Sequence, residues 1–346
     1  MALDVLRHRC DEHDRQERTT RLVCAASGLA LLGLATAAAP QAWSPQKNVE
    51  IVVANSPGGS NDRTARQVES FLTKYRLVPV SLTVVNKPGG GGAIAYQYVN
   101  QHAGDPHYLL IGTPALLLSY IAGSSKLTYT DFTPVASLFN DYYVFAVNAP
   151  SPIGSGKDLV ERLKKDPQSI AIGFPTAVSQ NLVGAALLLK AIGRKAHELK
   201  AVVFKGTSEA AAALLGGHIE LIITPAGNAS PHVAAGRMRV IAVAAPQRFT
   251  GALANAPTWR EQGIDLVFSG WRAVMAPKGL SPAQVGYWEN ALRKATTAPE
   301  WKADLEKNYW SDDFATSEQF RKELEGDYAA MRAVMAELGL ARATAP

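Results

Sequence analysis

The run Val49-Glu50-Ile51-Val52-Val53-Ala54-Asn55-Ser56-Pro57-Gly58-Gly59-Ser60-Asn61-Asp62 decides how this chain is read. Val49–Ala54 is a short, mostly apolar stretch that reads as a buried strand, and the Pro-Gly-Gly turn breaks it. Beyond the turn, Ala65, Val68, Phe71, Leu72 and Tyr75 recur at helical spacing, which puts one apolar face on a helix. Ser60, Asn61 and Asp62 are expected to cap its first turn. The same order returns twice. Val80–Val85 leads through Asn86-Lys87-Pro88-Gly89-Gly90-Gly91-Gly92 into a helix from about Ala93 to Gln101, and Tyr108–Gly112 leads through Thr113-Pro114 into Ala115–Ile121. Repeated strand–loop–helix units predict a parallel sheet with helices on both faces, and ligands bind such sheets at the carboxyl ends of the strands.

A connecting strand at Val144–Val147 and the turn Asn148-Ala149-Pro150-Ser151-Pro152 come next, and then the pattern restarts. Helices at Lys157–Lys165, Gln180–Ile192 and Glu209–Leu215 alternate with strands at Ile170–Gly173, Ala201–Phe204, Ile219–Thr224 and Val240–Ala244. A second connecting strand lies near Gly270–Ala276. The final helices, Pro282–Thr297, Pro299–Asn308 and Ser317–Leu338, have few strands of their own to cover and should return to the first lobe. The expectation is a two-lobed α/β protein. One lobe comprises residues 43–148 with 270–346 and the other 149–269, each a mostly parallel sheet flanked by helices. Two crossings between lobes imply a hinge and a cleft.

Hydrophobic residues make up 47% of the 346, enough to bury a substantial core, while only 19% are charged, which argues against a coiled coil or a solvated tail. Arg15, Arg18 and Arg21 precede the apolar run Leu22–Ala35, and small residues Ala35, Ala37, Ala38 and Ala39 follow it. That is the order of a secretory signal, so residues 1–42 read as a signal peptide cleaved at about 37–42, with a periplasmic destination. Both cysteines, Cys10 and Cys24, fall within it, so the mature chain is expected to lack disulfides and thiolate chemistry. The segment holds five basic and five acidic residues, which leaves the net charge of +5 on the mature part. A mildly basic surface attracts anions, but its basic residues are too scattered for nucleic acid.

The glycine loops carry the chemistry. Consecutive glycines remove side chains, so backbone N–H groups can approach a ligand, and the following helix adds partial positive charge at its N-terminus. Two such loops at equivalent positions could grip a carboxylate without Arg or Lys, although a glycine run also serves as a plain turn.

Val52–Asp62 resembles the V-V-P-F-x-P-G-G-x-x-D opening of the tripartite tricarboxylate transporter substrate-binding proteins, the TctC or Bug family. Asn86–Gly92 is similar to that family's N-R-P-G-A-G-G. Further resemblances follow in family order at Lys205-Gly206-Thr207, Leu214–Glu220, Pro231–Arg239, Ala256–Gly263 and Ala276-Pro277-Lys278-Gly279. The resemblance implies a type II-like periplasmic binding protein that captures a small carboxylated solute. It also implies delivery to the large and small permease subunits of a membrane transporter. Its pocket, carried over, would comprise Asn55, Ser56, Gly58, Gly59, Asp62, Gly90, Gly91, Thr113, Pro114, Val178, Ser179, Asn181, Thr207 and Thr224. Four of these depart from the family: Asn55 replaces an aromatic residue, Val178 a hydroxyl, Asn181 a histidine and Thr224 an aspartate. Without that aspartate the ligand is expected to need no amino group. Asp62 either orients loop amides or water, or caps the helix.

Other classes fit less well. Gly154-Ser155-Gly156-Lys157 lacks the Ser or Thr and the upstream glycine of a phosphate-binding loop, and reads as a helix-opening turn. Gly206-Thr207-Ser208-Glu209-Ala210 lacks the last glycine of a nucleophile elbow. His102, His107, His197, His218 and His232 show no metal-ligand spacing. The chain is thus expected to use no metal or cofactor, to have no catalytic residues, to bind no nucleic acid and to act as a monomer. A sensory protein presenting its ligand to a membrane receptor would share the same pocket.

Overall fold

The computed structural model describes residues 43–342. The expected signal segment, with Cys10 and Cys24, lies outside them. Strand β1 (Val49–Val53) is followed by helix α1 (Ser60–Lys74), β2 (Leu82–Asn86) by α2 (Ala93–Asn100), and β3 (Tyr108–Gly112) by α3 (Ala115–Ile121). β1 pairs in parallel with β2 on one side and β3 on the other, so all three loops emerge at one edge. Further along, β5 (Ala171–Phe174) pairs in parallel with β6 (Lys200–Val203) and with β7 (Leu221–Pro225). Helices α4 (Gly156–Lys165), α5 (Gln180–Ala191), α6 (Thr207–Leu215) and α7 (Ala226–Ala234) alternate with them.

These two parallel sets are joined by antiparallel ladders. β9 (Ser269–Pro277) lies antiparallel between β3 and β4 (Phe132–Asn148), and β4 then pairs antiparallel with β7 and with β8 (Met238–Val243). The short β10 (Ala315–Thr316) also pairs with β4. The result is one mixed ten-stranded sheet in the order β2-β1-β3-β9-β4-β7-β5-β6, with β8 and β10 on β4. Each set is parallel, as the repeated units require, and the connecting strands supply the antiparallel part.

β4 is much longer than Val144–Val147. It spans 17 residues, and its ladders shift register between Pro134 and Ala136, between Ser137 and Phe139, and between Phe145 and Ala146. Each bulge slips the in–out alternation by one residue, which hides the strand from a period-2 reading. α7 was also absent from the pattern, because a nine-residue helix with Pro231 inside it carries little periodic signal.

The core explains the C-terminal helices. α8 (Pro282–Thr296) and α9 (Pro299–Asn308) bury Trp288, Leu292, Trp301 and Leu305 against Val49, Ile51 and Val53 of β1 and the apolar face of α1. Phe71 meets Trp301 edge-on at 5.4 Å. Each such side chain contributes roughly 1.5–3 kcal/mol by leaving water. α10 (Ser317–Glu337) buries Phe320, Leu324, Met331 and Val334 in a second core that also takes in α3 and α5. No helix among the described residues is long and apolar enough to cross a membrane.

Candidate ligand-binding cleft

The loop after β1 is tied to the end of β2 by one carboxylate. Asp62, only 3% exposed, accepts the Gly58 N–H at 2.9 Å on Oδ2 and the Asn86 side-chain amide at 3.0 Å on Oδ1. Arg66, one turn along α1, donates to Oδ2 at 3.0 Å. The same Asn86 amide reaches the Asn55 carbonyl at 3.0 Å, and the Asn61 amide donates to Asn55 Oδ1. The contact with Arg66, ahead of the bonds from Gly58 and Asn86, holds the Asp62 carboxyl below the usual carboxylate range despite burial. Asp62 therefore orients loop amides.

It does not cap the helix, and neither does Ser60 or Asn61. Gly59 is the N-cap residue of α1 and no side chain accepts its opening N–H groups. The expected caps are lost because the Asp62 carboxylate turns back to Gly58 and the Asn61 amide turns to Asn55. α2 and α3 start in the same way, after Gly92 and Pro114, without side-chain caps. The glycine turn that precedes α2 is pinned from α3, where Ser119 Oγ donates to the Gly91 carbonyl at 2.7 Å. Gly92 sits at φ 99°, and a Cβ there would lie 2.5 Å from the ring of buried Tyr96.

These three starts open on a single cleft of about 520 Å³, lined on one side by Asn55, Ser60, Asn61, Gly91, Thr113, Pro114 and Ser119. Thr176, Val178, Ser179 and Gln180 line the other side, and Tyr143, Gly270 and Arg272 of β4 and β9 complete it. Across the cleft α5 is capped: Ser179 accepts the Leu182 N–H at 3.3 Å.

Of the residues singled out from the sequence, Asn55, Gly91, Thr113, Pro114, Val178 and Ser179 thus meet in the cleft. Ser56, Gly58, Gly59 and Gly90 belong to the same loops without lining it, and Asp62 stands behind them as their tether. Asn181 is buried and donates to the Ile223 carbonyl, and Thr224 is buried on β7, where it accepts from Asn228. Thr207 opens α6 outside the lining. Ser155 of the Gly154–Lys157 turn caps α4 by accepting the Asp158 N–H, which accounts for that motif.

Arg272, which no motif indicated, is the one charged residue lining the cleft among the described residues. It is 9% exposed, with Nη1 donating to the Gly270 and Trp271 carbonyls at 3.2 and 3.3 Å and Nη2 at 3.4 Å from Asp141. Burial pushes the Asp141 carboxyl up to about 6, with Arg272 pulling the other way. The available signal was an arginine inside the otherwise apolar strand Ser269–Pro277, since a buried charge is rare without a purpose.

The model of the tripartite tricarboxylate transporter family receptors matches residues 64–340, most of the chain. The chain belongs to that family. Proteins of this receptor family are periplasmic. The receptor is 28% identical over 323 residues to a Cupriavidus necator protein, "UPF0065 protein in gbd 5'region", covering 92% of this chain and 96% of that one. It is similar in structure to a TctC solute-binding protein from Polaromonas, with TM-score 0.73 and 27% identity over 85% of this chain and 99% of the other. A structure described as a periplasmic transporter gives TM-score 0.71 and 28% identity over 86% and 99%.

Proposed function

We propose that this protein is an extracytoplasmic receptor that captures a small carboxylated solute in the cleft and delivers it to a tripartite tricarboxylate-type transporter. One observation carries the reading: Asp62 ties the loop before α1 to the end of β2, Ser119 of α3 holds the glycine turn before α2, and the three helices open on one cleft without side-chain caps. Unclaimed N–H groups at helix starts are donors for an anion, and the aligned peptide dipoles favour negative charge there. Among the described residues no acidic side chain lines the cleft, which supports a ligand that needs no ammonium group. The chain binds its solute and does not turn it over. The N-terminal 42 residues direct export, and the mature receptor docks on the large and small membrane subunits.

Residues 43–148 with 270–346 form one lobe and 149–269 the other, and they close over the ligand by bending β4 and β9. Two measurements test this. Small molecules released from natively purified protein and identified by mass spectrometry should include a carboxylate, which calorimetry should then show to bind. Recovery of only non-acidic solutes, or release of a chemically altered carboxylate, would overturn the reading.

A further inference from the structure

We propose that the groove between α5 and α10 is a second ligand site, which takes a small organic cation: an ammonium or guanidinium on an apolar body. It lies on the face of the connecting strands turned away from the ligand cleft. Side chains alternate along a strand, and Gly270 and Arg272 of β9 line the cleft whereas Ser269 and Trp271 line the groove. The same holds on β4, with Tyr143 on the cleft side and Asn140 and Tyr142 on the other.

The groove holds about 350 Å³, within the range of about 300–1,000 Å³ typical of sites for small molecules. Phe268, Trp271, Leu187 of α5 and Met331 of α10 give it apolar walls. Its charged members are both acidic, Glu323 and Asp327, one turn apart on α10. No lysine, arginine or histidine is among the described residues that line it. Asp313 adds a third carboxylate nearby, held by the Tyr142 hydroxyl at 3.3 Å and the Asn140 amide at 3.4 Å. Apolar walls keep out screening water and so strengthen the pull of these carboxylates on a cation.

The plainer role for Asp327 is to accept the Trp271 indole N–H, which it does on Oδ2 at 2.9 Å. A neutral amide would serve that bond and avoid burying a charge. Burial holds the Asp327 carboxyl above its ordinary range, with the Trp271 bond pulling the other way. Burial, and then the negative charges of Asp327 and Asp313, does the same for Glu323. A carboxylate offers about four acceptor positions, so Asp327 keeps capacity for a ligand. Gln180, which lines both the groove and the cleft, supplies a further acceptor. Its Oε1 is buried without a partner, while its amide nitrogen donates to the Ser269 carbonyl at 3.2 Å. Two carboxylates and an unsatisfied carbonyl call for N–H donors that carry positive charge, and the apolar walls call for a hydrocarbon body behind them.

The experiment titrates the protein calorimetrically with phenethylammonium, with agmatine, and with 2-phenylethanol as a neutral molecule of the same shape as the first. Phenethylammonium is expected to bind about 10- to 100-fold more tightly than the alcohol, the worth of one charge-assisted contact. Either cation should also shift the Trp271 indole N–H resonance, which is identified by its loss in Trp271→Phe. Asp327→Asn keeps an acceptor for Trp271 and removes the charge, so the advantage of the cation over the alcohol should fall close to one. Failure of both cations to bind, a cation no tighter than the alcohol, or an advantage that survives Asp327→Asn overturns the proposal. So does binding that leaves the Trp271 resonance in place, since it would put the cation elsewhere. If Asp327→Asn does not fold, the exposed Glu323→Gln decides: cation affinity should drop about threefold or more, and an unchanged affinity refutes the site.

Discussion

The starts of α1 and α5 face the same cleft from opposite sides and are built in opposite ways. At α1 the residues able to cap are turned elsewhere: Asp62 to Gly58 and Asn86, Asn61 to Asn55. At α5 Ser179 occupies the N-cap position and accepts the Leu182 N–H. A capped start has satisfied part of its own demand for an acceptor, whereas an uncapped one leaves that demand for solvent or ligand. Two helices with the same dipole thus differ in what they offer. The α1 side presents backbone donors on a tethered loop, and the α5 side presents side chains. Binding should begin on the α1 side.

The contrast can be broken most severely at Gly92. Gly92→Ala forces a side chain into a left-handed conformation and against the Tyr96 ring, displacing the glycine turn. We expect a carboxylate ligand to bind roughly 100-fold more weakly by calorimetry, the equivalent of about one strong charge-assisted bond. The fold should lose about 1–3 kcal/mol in denaturant titration. Unchanged affinity would mean that the turn is only a connection.

Asp62→Ala should follow, with affinity reduced about tenfold and stability lowered by roughly 1–3 kcal/mol, as three donors lose their acceptor. The pH dependence has a definite sign. Because the folded state holds the Asp62 carboxyl below its ordinary range, its contribution is complete above about pH 4 and fades as pH falls through the lowered value. Thermal melts of wild-type protein should fall more steeply below about pH 4 than those of Asp62→Ala. Parallel curves would assign the acid sensitivity to other groups.

The smallest effect belongs to Ser179→Ala. Loss of the cap should cost about 1 kcal/mol of stability. Ligand affinity should change by less than about threefold, because the α5 start is not the main anion site. A larger loss of affinity than at Asp62 would reverse the comparison between the two helices.

What could be read from the sequence follows the range of the interactions. β1, β3 and α1 were legible because their apolar residues repeat within a few positions, and the glycine loops because strand, glycines and helix are adjacent in the chain. The full length of β4 was not, since its bulges interrupt the alternation. The pocket was legible in the same measure. Asn55 and Gly91 lie in the loops themselves, whereas Asn181 and Thr224 were placed by family position alone, and the fold turns them to buried backbone and side-chain partners. Arg272 becomes meaningful only through Asp141, 131 positions away, and nothing local indicates which way it points.

β4 has a consequence for the order in which the chain can fold. As residues 132–148 become available, β4's partners β7, β8, β9 and β10 have yet to follow in the chain. The nine-pair ladder with β9 closes a loop of more than a hundred residues, which makes it late and entropically demanding. Until then β4 is an unpaired, largely apolar edge, open to pairing with another copy. The strand that unites the sheets is therefore also the segment where a delayed or truncated chain is most exposed to aggregation.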